Sequence, residues 1–214
     1  MLQKTCYLFG RGNGKIRRFF RDNRIQVAET LPYGYFVTVT GPESIEKFPH
    51  RLIRDGWSLP EECVADLLLR RGETCTFVES CTGGMCAVKV TALPGSSDVF
   101  WGGWVVYSNS AKIRLGVLNE TLTQHGAVSK ETVLRLAASG LEHSGSAWCA
   151  AISGIAGPAG GSAEKPVGTV WIGLAGGKDA PKGYRFLFSG GRKSVREKAS
   201  AAAFLLLEQL ISND

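Results

Sequence analysis

The chain has 214 residues, 44% hydrophobic and 21% charged, with a formal net charge of +6. This is enough apolar material for a buried core, and the composition excludes a disordered polyelectrolyte. No apolar run reaches the roughly 20 residues of a bilayer span. Met1 to Cys6 leads into a basic, polar stretch without a signal-peptide core, so a cytoplasmic protein with no membrane partner is expected.

Residues 1–60 carry ten Lys/Arg against five Asp/Glu, whereas residues 61–214 carry fifteen against fourteen. The excess lies in Arg11, Lys15, Arg17, Arg18, Arg21 and Arg24. Such a run is either a solvated helix face or a weak, salt-sensitive nucleic-acid contact over 11–24. The six cysteines (6, 63, 75, 81, 86, 149) contain no Cys-x-x-Cys pair. With His50, His125 and His143 they give no zinc spacing, so free thiols and no metal site are expected.

In chain order, residues 1–56 predict a small α+β unit. It has a strand at Thr5–Phe9, a turn through Gly10–Gly14, a basic helix at Lys15–Asn23, and strands at Gln26–Glu29 and Tyr35–Thr40. Arg54–Pro60 is the expected junction. The second unit, 57–214, opens with a helix: Pro60 stands early, Glu61 and Glu62 occupy the first turn, and Gly72 ends it. The pattern then predicts a strand near 74–79, a helix near 83–92, a strand near 101–107, and helices near 109–115 and 129–143. Strands near 147–153, 168–175 and 184–189 follow, with a last helix over 192–211. This alternation predicts a three-layer α/β/α sandwich.

Glu79-Ser80-Cys81-Thr82-Gly83-Gly84 stands between a β-prone run and a helix-compatible one. A strand-to-helix turn of this kind exposes a hydroxyl and aims backbone N–H groups at one spot, the setting of an acyl-transfer nucleophile. The same residues also make an ordinary N-cap and turn. Cys81 competes with Ser80 as nucleophile. In Tyr107-Ser108-Asn109-Ser110-Ala111-Lys112, Ser108 or Asn109 is a natural N-cap. A lysine kept neutral by burial acts as a base toward serine, with a tyrosine hydroxyl relaying or orienting; the alternative is a solvated lysine and a core tyrosine. The loop Ser153-Gly154-Ile155-Ala156-Gly157-Pro158-Ala159-Gly160-Gly161-Ser162 offers successive N–H groups to a phosphate or carboxylate, but matches no phosphate-loop or dinucleotide fingerprint. Lys165, after Glu164, either reaches an anionic ligand or faces water.

Together these clusters, with Pro94-Gly95-Ser96-Ser97, Leu115-Gly116-Val117, His125-Gly126-Ala127-Val128-Ser129 and Lys165-Pro166-Val167-Gly168-Thr169-Val170, resemble the CinA C-terminal family over about residues 60–212. The resemblance implies a nicotinamide-nucleotide amidase, which converts nicotinamide mononucleotide to nicotinate mononucleotide and ammonia without metal or cofactor. It implies Ser80 as nucleophile, with Tyr107 and Lys112 as its activating partners. The substrate nucleotide would be held by Cys81, Thr82, Gly83, Gly84, Asn109, Gly154, Ala156, Gly157, Gly160 and Gly161. Residues 1–56 resemble a shortened KH-type linker, and a homo-oligomer, a dimer foremost, is expected. Two alternatives stand beside this: a non-enzymatic competence- or DNA-damage-associated binding protein, and a Ser–His hydrolase using His125.

Overall fold

The computed structural model describes residues 58–214 throughout and, ahead of them, the backbone of four strands. The chain divides into two compact units, Met1–Leu59 and Pro60–Asp214. In the first, β1 (Gln3–Phe9), β2 (Gln26–Leu31), β3 (Gly34–Thr40) and β4 (Ile53–Asp55) form a sheet of order β2-β3-β1-β4. All its pairings are antiparallel, with a register shift between Val27 and Glu29. The stretch expected to open the junction at Arg54 instead supplies β4, which pairs with Cys6–Leu8 of β1. The basic helix expected at Lys15–Asn23 lies outside the described residues.

The second unit is a three-layer α/β/α sandwich around a mixed five-stranded sheet. Its elements are α1 (Pro60–Arg71), β5 (Cys75–Glu79), α2 (Met85–Thr91), β6 (Phe100–Val105), α3 (Asn109–Arg114), α4 (Asn119–His125), α5 (Lys130–Ser144), β7 (Trp148–Gly154), β8 (Thr169–Gly176), β9 (Asp179–Leu187) and α6 (Arg192–Ser212). The strand order is β6-β5-β7-β8-β9. β6, β5 and β7 run parallel, while β8 and β9 are added antiparallel. β5 is buried along its whole length and β7 along all but its last residue, as expected of strands covered on both faces. α5 lies on one face of the sheet with α4 beside it; α6 covers the other, with α1 and α2 packed on it. The core between α5 and the sheet joins Val78, Cys149, Ala151 and Ala175 to Val133, Leu136 and Ala137. A Cβ on Gly140 would stand 2.4 Å from Cys149 Sγ, so glycine there lets α5 lie close on β7.

Two elements depart from the sequence pattern. The seven residues of α4, where the pattern predicts nothing, bury one apolar side chain, Leu122, too few to register as a period. β9 starts at Asp179, not near 184. Pro181 and Gly183 argue against a central strand, but β9 is an edge, where both are tolerated. Among the described residues no helix is long and apolar enough to cross a membrane. Cys75, Cys81, Cys86 and Cys149 are buried free thiols.

This topology gathers chain at one sheet edge. β5, β6 and β7 are parallel, so their carboxyl ends share that edge. β8 begins there opposite Gly154, and β9 ends there opposite Thr169. Ser80, Tyr107, the loop 155–168 and the start of α6 all leave from it, the usual place for a site in a parallel sheet.

Candidate active site

Ser80 is the first residue beyond β5. Its N–H donates to Ile152 O at 2.9 Å, tying the turn to β7. The turn is stiffened from behind by Glu79, whose buried carboxylate accepts from Cys86 N at 3.1 Å and Ala87 N at 3.0 Å, satisfying amides of the first turn of α2. Gly83 and Gly84 have φ of +60° and +89° and let the chain reverse into the helix. The Cys81 amide follows directly on Ser80 and donates to no backbone carbonyl among the described residues.

Lys112 reaches Ser80 from α3. Ser108 caps that helix by accepting from Ala111 N at 3.1 Å, which fixes the turn on which Lys112 sits. Lys112 is 2% exposed and Ser80 7%. The Lys112 Nζ lies 3.1 Å from Ser80 Oγ, 2.8 Å from Val106 O and 3.4 Å from Tyr107 O. Burial lowers the lysine from its ordinary 10.5, with a smaller opposing pull from Cys81. A neutral amine has two N–H groups and one lone pair. Here Nζ donates to Ser80 Oγ and to both carbonyls. Once deprotonated, it can keep its two N–H groups on the carbonyls and turn the lone pair to the Ser80 hydroxyl.

A cavity of about 180 Å³ opens on this pair, lined among others by Cys81, Tyr107, Asn109, Ser153 and Arg192. Two cationic side chains, Lys112 and Arg192, line it, and no carboxylate does. Tyr107 is exposed. Its hydroxyl does not stand between serine and lysine; it accepts from Arg192 Nη2 at 2.7 Å. The same guanidinium donates to Gly157 O at 2.8 Å, which joins the glycine-rich loop to α6. Burial is the main cause that pushes the Cys81 thiol up to about 12, so it is protonated at neutral pH and is a poor nucleophile.

The residues read from the sequence divide in two. Ser80, Cys81, Tyr107, Asn109, Lys112, Gly154 and Ala156 line one cavity. Thr82, Gly83, Gly84, Gly157, Gly160 and Gly161 do not line it. Thr82 O is held by Arg196 at 2.7 and 3.2 Å, and a Cβ on Gly161 would stand 2.7 Å from Val167 N, so at these two positions the chain packs closely on its neighbours. His125 does not line the cavity either; its Nδ1 lies 3.8 Å from Glu131 Oε2. Lys165 does not line the cavity; its Nζ donates to His125 O at 2.7 Å. Arg192, not singled out from the sequence, lines the cavity too, with Ser153 of the glycine-rich loop and Ala127 and Val128 of the His125–Ser129 motif, to which the sequence assigns no individual role. The one available signal for Arg192 was its place directly after Gly190-Gly191, at a strand-to-helix turn like that of Ser80.

With this geometry in view, the fold and site define a serine–lysine α/β protein, and comparison gives its family. The CinA C-terminal domain model matches residues 58–211, and the chain belongs to that family. The chain is 47% identical over 154 residues to the nicotinamide-nucleotide amidohydrolase PncC of Escherichia coli strain K12, covering 71% of this chain and 93% of that protein. It is 41% identical over 181 residues to a CinA-like protein of Geotalea daltonii, covering 84% of this chain but 44% of that longer one. Among solved structures, the competence/damage inducible protein CihA of Agrobacterium tumefaciens superposes with a TM-score of 0.68 at 37% identity. That match covers 72% of this chain and 99% of the other.

Proposed function

We propose that the chain hydrolyses the carboxamide of nicotinamide mononucleotide, giving nicotinate mononucleotide and ammonia, by a serine–lysine mechanism. The observation that carries the mechanism is the 3.1 Å approach of the Lys112 amine to the Ser80 hydroxyl, both buried at the end of a cavity. The substrate class is supported by the relatives named for this reaction. It is supported too by a cavity lined by the Arg192 guanidinium and, among the described residues, by no carboxylate, which suits an amide carrying an anionic group.

In this reading Ser80 Oγ attacks the carboxamide carbon while Lys112 takes its proton. The oxyanion lies toward the Cys81 amide. The tetrahedral adduct collapses by breaking the C–N bond, and the proton on Lys112 goes to the departing nitrogen, which leaves as ammonia. Lys112, neutral again, takes a proton from water as the water attacks the acyl-serine. The acid is released when the Ser80–acyl bond breaks and the proton returns to Ser80. The Tyr107 hydroxyl fixes Arg192 at the cavity mouth; it does not relay the serine proton. The activity is proposed for a cytoplasmic homo-oligomer. The N-terminal unit is proposed as a KH-type linker retained from longer relatives. The 84% coverage by the Geotalea daltonii protein supports this, because it exceeds the second unit alone.

Ammonia release from nicotinamide mononucleotide tests the proposal. Ser80→Ala is expected to lose at least about 10³-fold in kcat, the scale of losing an attacking group, while Cys81→Ala keeps turnover within about threefold. Ammonia release that survives Ser80→Ala, or is absent from the native chain, refutes it.

A further inference from the structure

Two walls of the Ser80 cavity belong to segments far apart in sequence. One is the turn between α4 and α5, which contributes Ala127 and Val128. The other is the end of β7 and the loop after it, which contributes Ser153, Gly154 and Ala156. The first wall is held almost wholly by side chains that grasp its carbonyls. Gly126 O accepts from Ser129 Oγ at 2.9 Å and from Thr132 Oγ1 at 2.8 Å, both within its own helix start. Two bonds cross to the second wall: Ser153 Oγ donates to Ala127 O at 2.7 Å from inside the cavity, and Lys165 Nζ donates to His125 O at 2.7 Å from outside it.

The Lys165 bond is well founded physically. His125 is the last residue of α4, so its carbonyl is one of the helix-end acceptors without an intrahelical partner, and a cation is favoured there. Lys165 is in turn fixed by its own turn. Its N–H donates to Ser162 Oγ at 3.1 Å, its carbonyl accepts from Ser162 N at 3.0 Å, and Arg185 Nη2 holds Glu164 O at 3.0 Å. The Nζ is therefore presented by an ordered loop and is not a drifting surface ammonium. A Cβ on Gly126 would lie 3.4 Å from it, so a side chain there would crowd the amine.

We propose that Lys165 is a positioning residue for substrate binding: it clasps the Ala127–Val128 wall to the glycine-rich loop and so keeps the cavity at the width its ligand needs. The inference rests on the proposed amidase reading. It assigns Lys165 no contact with substrate and no share in bond making. Ser80, directly after β5, and Lys112, on α3, stand outside the clasp, so chemistry should be insensitive to it. Binding should not, because a ligand that needs the clasped wall binds more weakly by the fraction of molecules in which the wall is clasped.

The test is the kinetics of Lys165→Met in the full chain with nicotinamide mononucleotide and with nicotinamide riboside, with Lys165→Arg as the conservative variant. One charge-assisted hydrogen bond on a partly exposed surface predicts a KM about three- to tenfold higher in Lys165→Met. Its kcat should stay within about twofold, its melting temperature should change little, and the KM increase should be the same for nicotinamide riboside, which lacks the phosphate. Lys165→Arg should restore most of the affinity. An unchanged KM overturns the proposal, as does a fall in kcat equal to that in kcat/KM. A KM increase seen with the mononucleotide but not with the riboside means direct attraction to the substrate phosphate and overturns it too, as does one that comes only with a large loss of melting temperature. Absence of ammonia release from the native chain fails the amidase reading itself. Should that occur, the clasp is judged by amide hydrogen exchange at residues 126–128, which must speed up in Lys165→Met.

Discussion

Lys112→Met removes the amine opposite Ser80 and keeps an unbranched stem of similar reach. The lysine is 2% exposed, so the methionine remains buried and no new surface is created. The loss falls on proton transfer: a positioned base contributes about 10²–10⁴ in rate, and kcat should drop by at least about 10². KM should change far less, because Arg192 and the other residues lining the cavity are untouched. The stability effect has a sign that depends on pH. Burial lowers the folded-state value of Lys112 below the ordinary 10.5 of the unfolded chain. Between those two values the unfolded chain holds more protons, so native stability rises with pH across that window. Below it the lysine is charged in both states, and the folded state bears the full cost of burying the charge. Methionine has no proton to exchange, so relative to the native chain Lys112→Met should be most favoured at low pH, the difference shrinking toward pH 10.5. Catalysis follows the same group in the native enzyme: kcat should rise with pH as the buried amine loses its proton. Ammonia release gives the first result, and denaturant unfolding at a series of pH values gives the second. Turnover within tenfold of native, or parallel stability–pH curves for the two proteins, would refute the assignment.

Arg192→Met breaks two hydrogen bonds at once, to Tyr107 and to Gly157. It is expected to raise KM for the mononucleotide about 10- to 100-fold, the scale of charge-assisted bonds, with a smaller effect for the riboside that lacks the phosphate; equal effects on both substrates count against an anion-binding arginine. Gly157→Val puts a Cβ 2.6 Å from Val167 Cγ1 at a residue with φ of +82°. Left-handed strain and overpacking together predict a loss of about 2–5 kcal/mol in denaturant unfolding, and a loss below about 1 kcal/mol would show that the loop relaxes freely.

The residues at strand ends were legible because local chemistry announces them. A hydroxyl-rich turn after a buried strand, and a capped helix three residues past the next strand, mark Ser80 and Lys112 without any knowledge of their partner. What the sequence does not carry is the distance between them, which comes from β5 and β6 lying parallel and adjacent. Arg192 was illegible for the same reason in stronger form. It is 85 positions from the tyrosine it holds, and only the return of β9 to the carboxyl edge of the sheet brings α6 there. The glycines misled in part. A Gly-rich loop reads equally as a ligand cradle and as chain that must pass close to other backbone, and Gly161 is of the second kind. β9 was read short because Pro181 and Gly183 weaken the strand signal, which matters little where one side of the strand needs no partner.

The buried thiols have a consequence of their own. Burial pushes Cys75 up to about 12 and Cys149 well above its ordinary value, and the two lie on neighbouring central strands, where Cys75 faces Trp148 and Cys149 faces Thr76. A thiol that is covered and protonated does not react with an alkylating reagent until the layer over it lifts, which for Cys149 means α5 leaving the sheet. The protein thus contains its own clock for opening, one strand-length from the nucleophile. Any molecule that fits only the closed structure slows that clock in proportion to how tightly it is held.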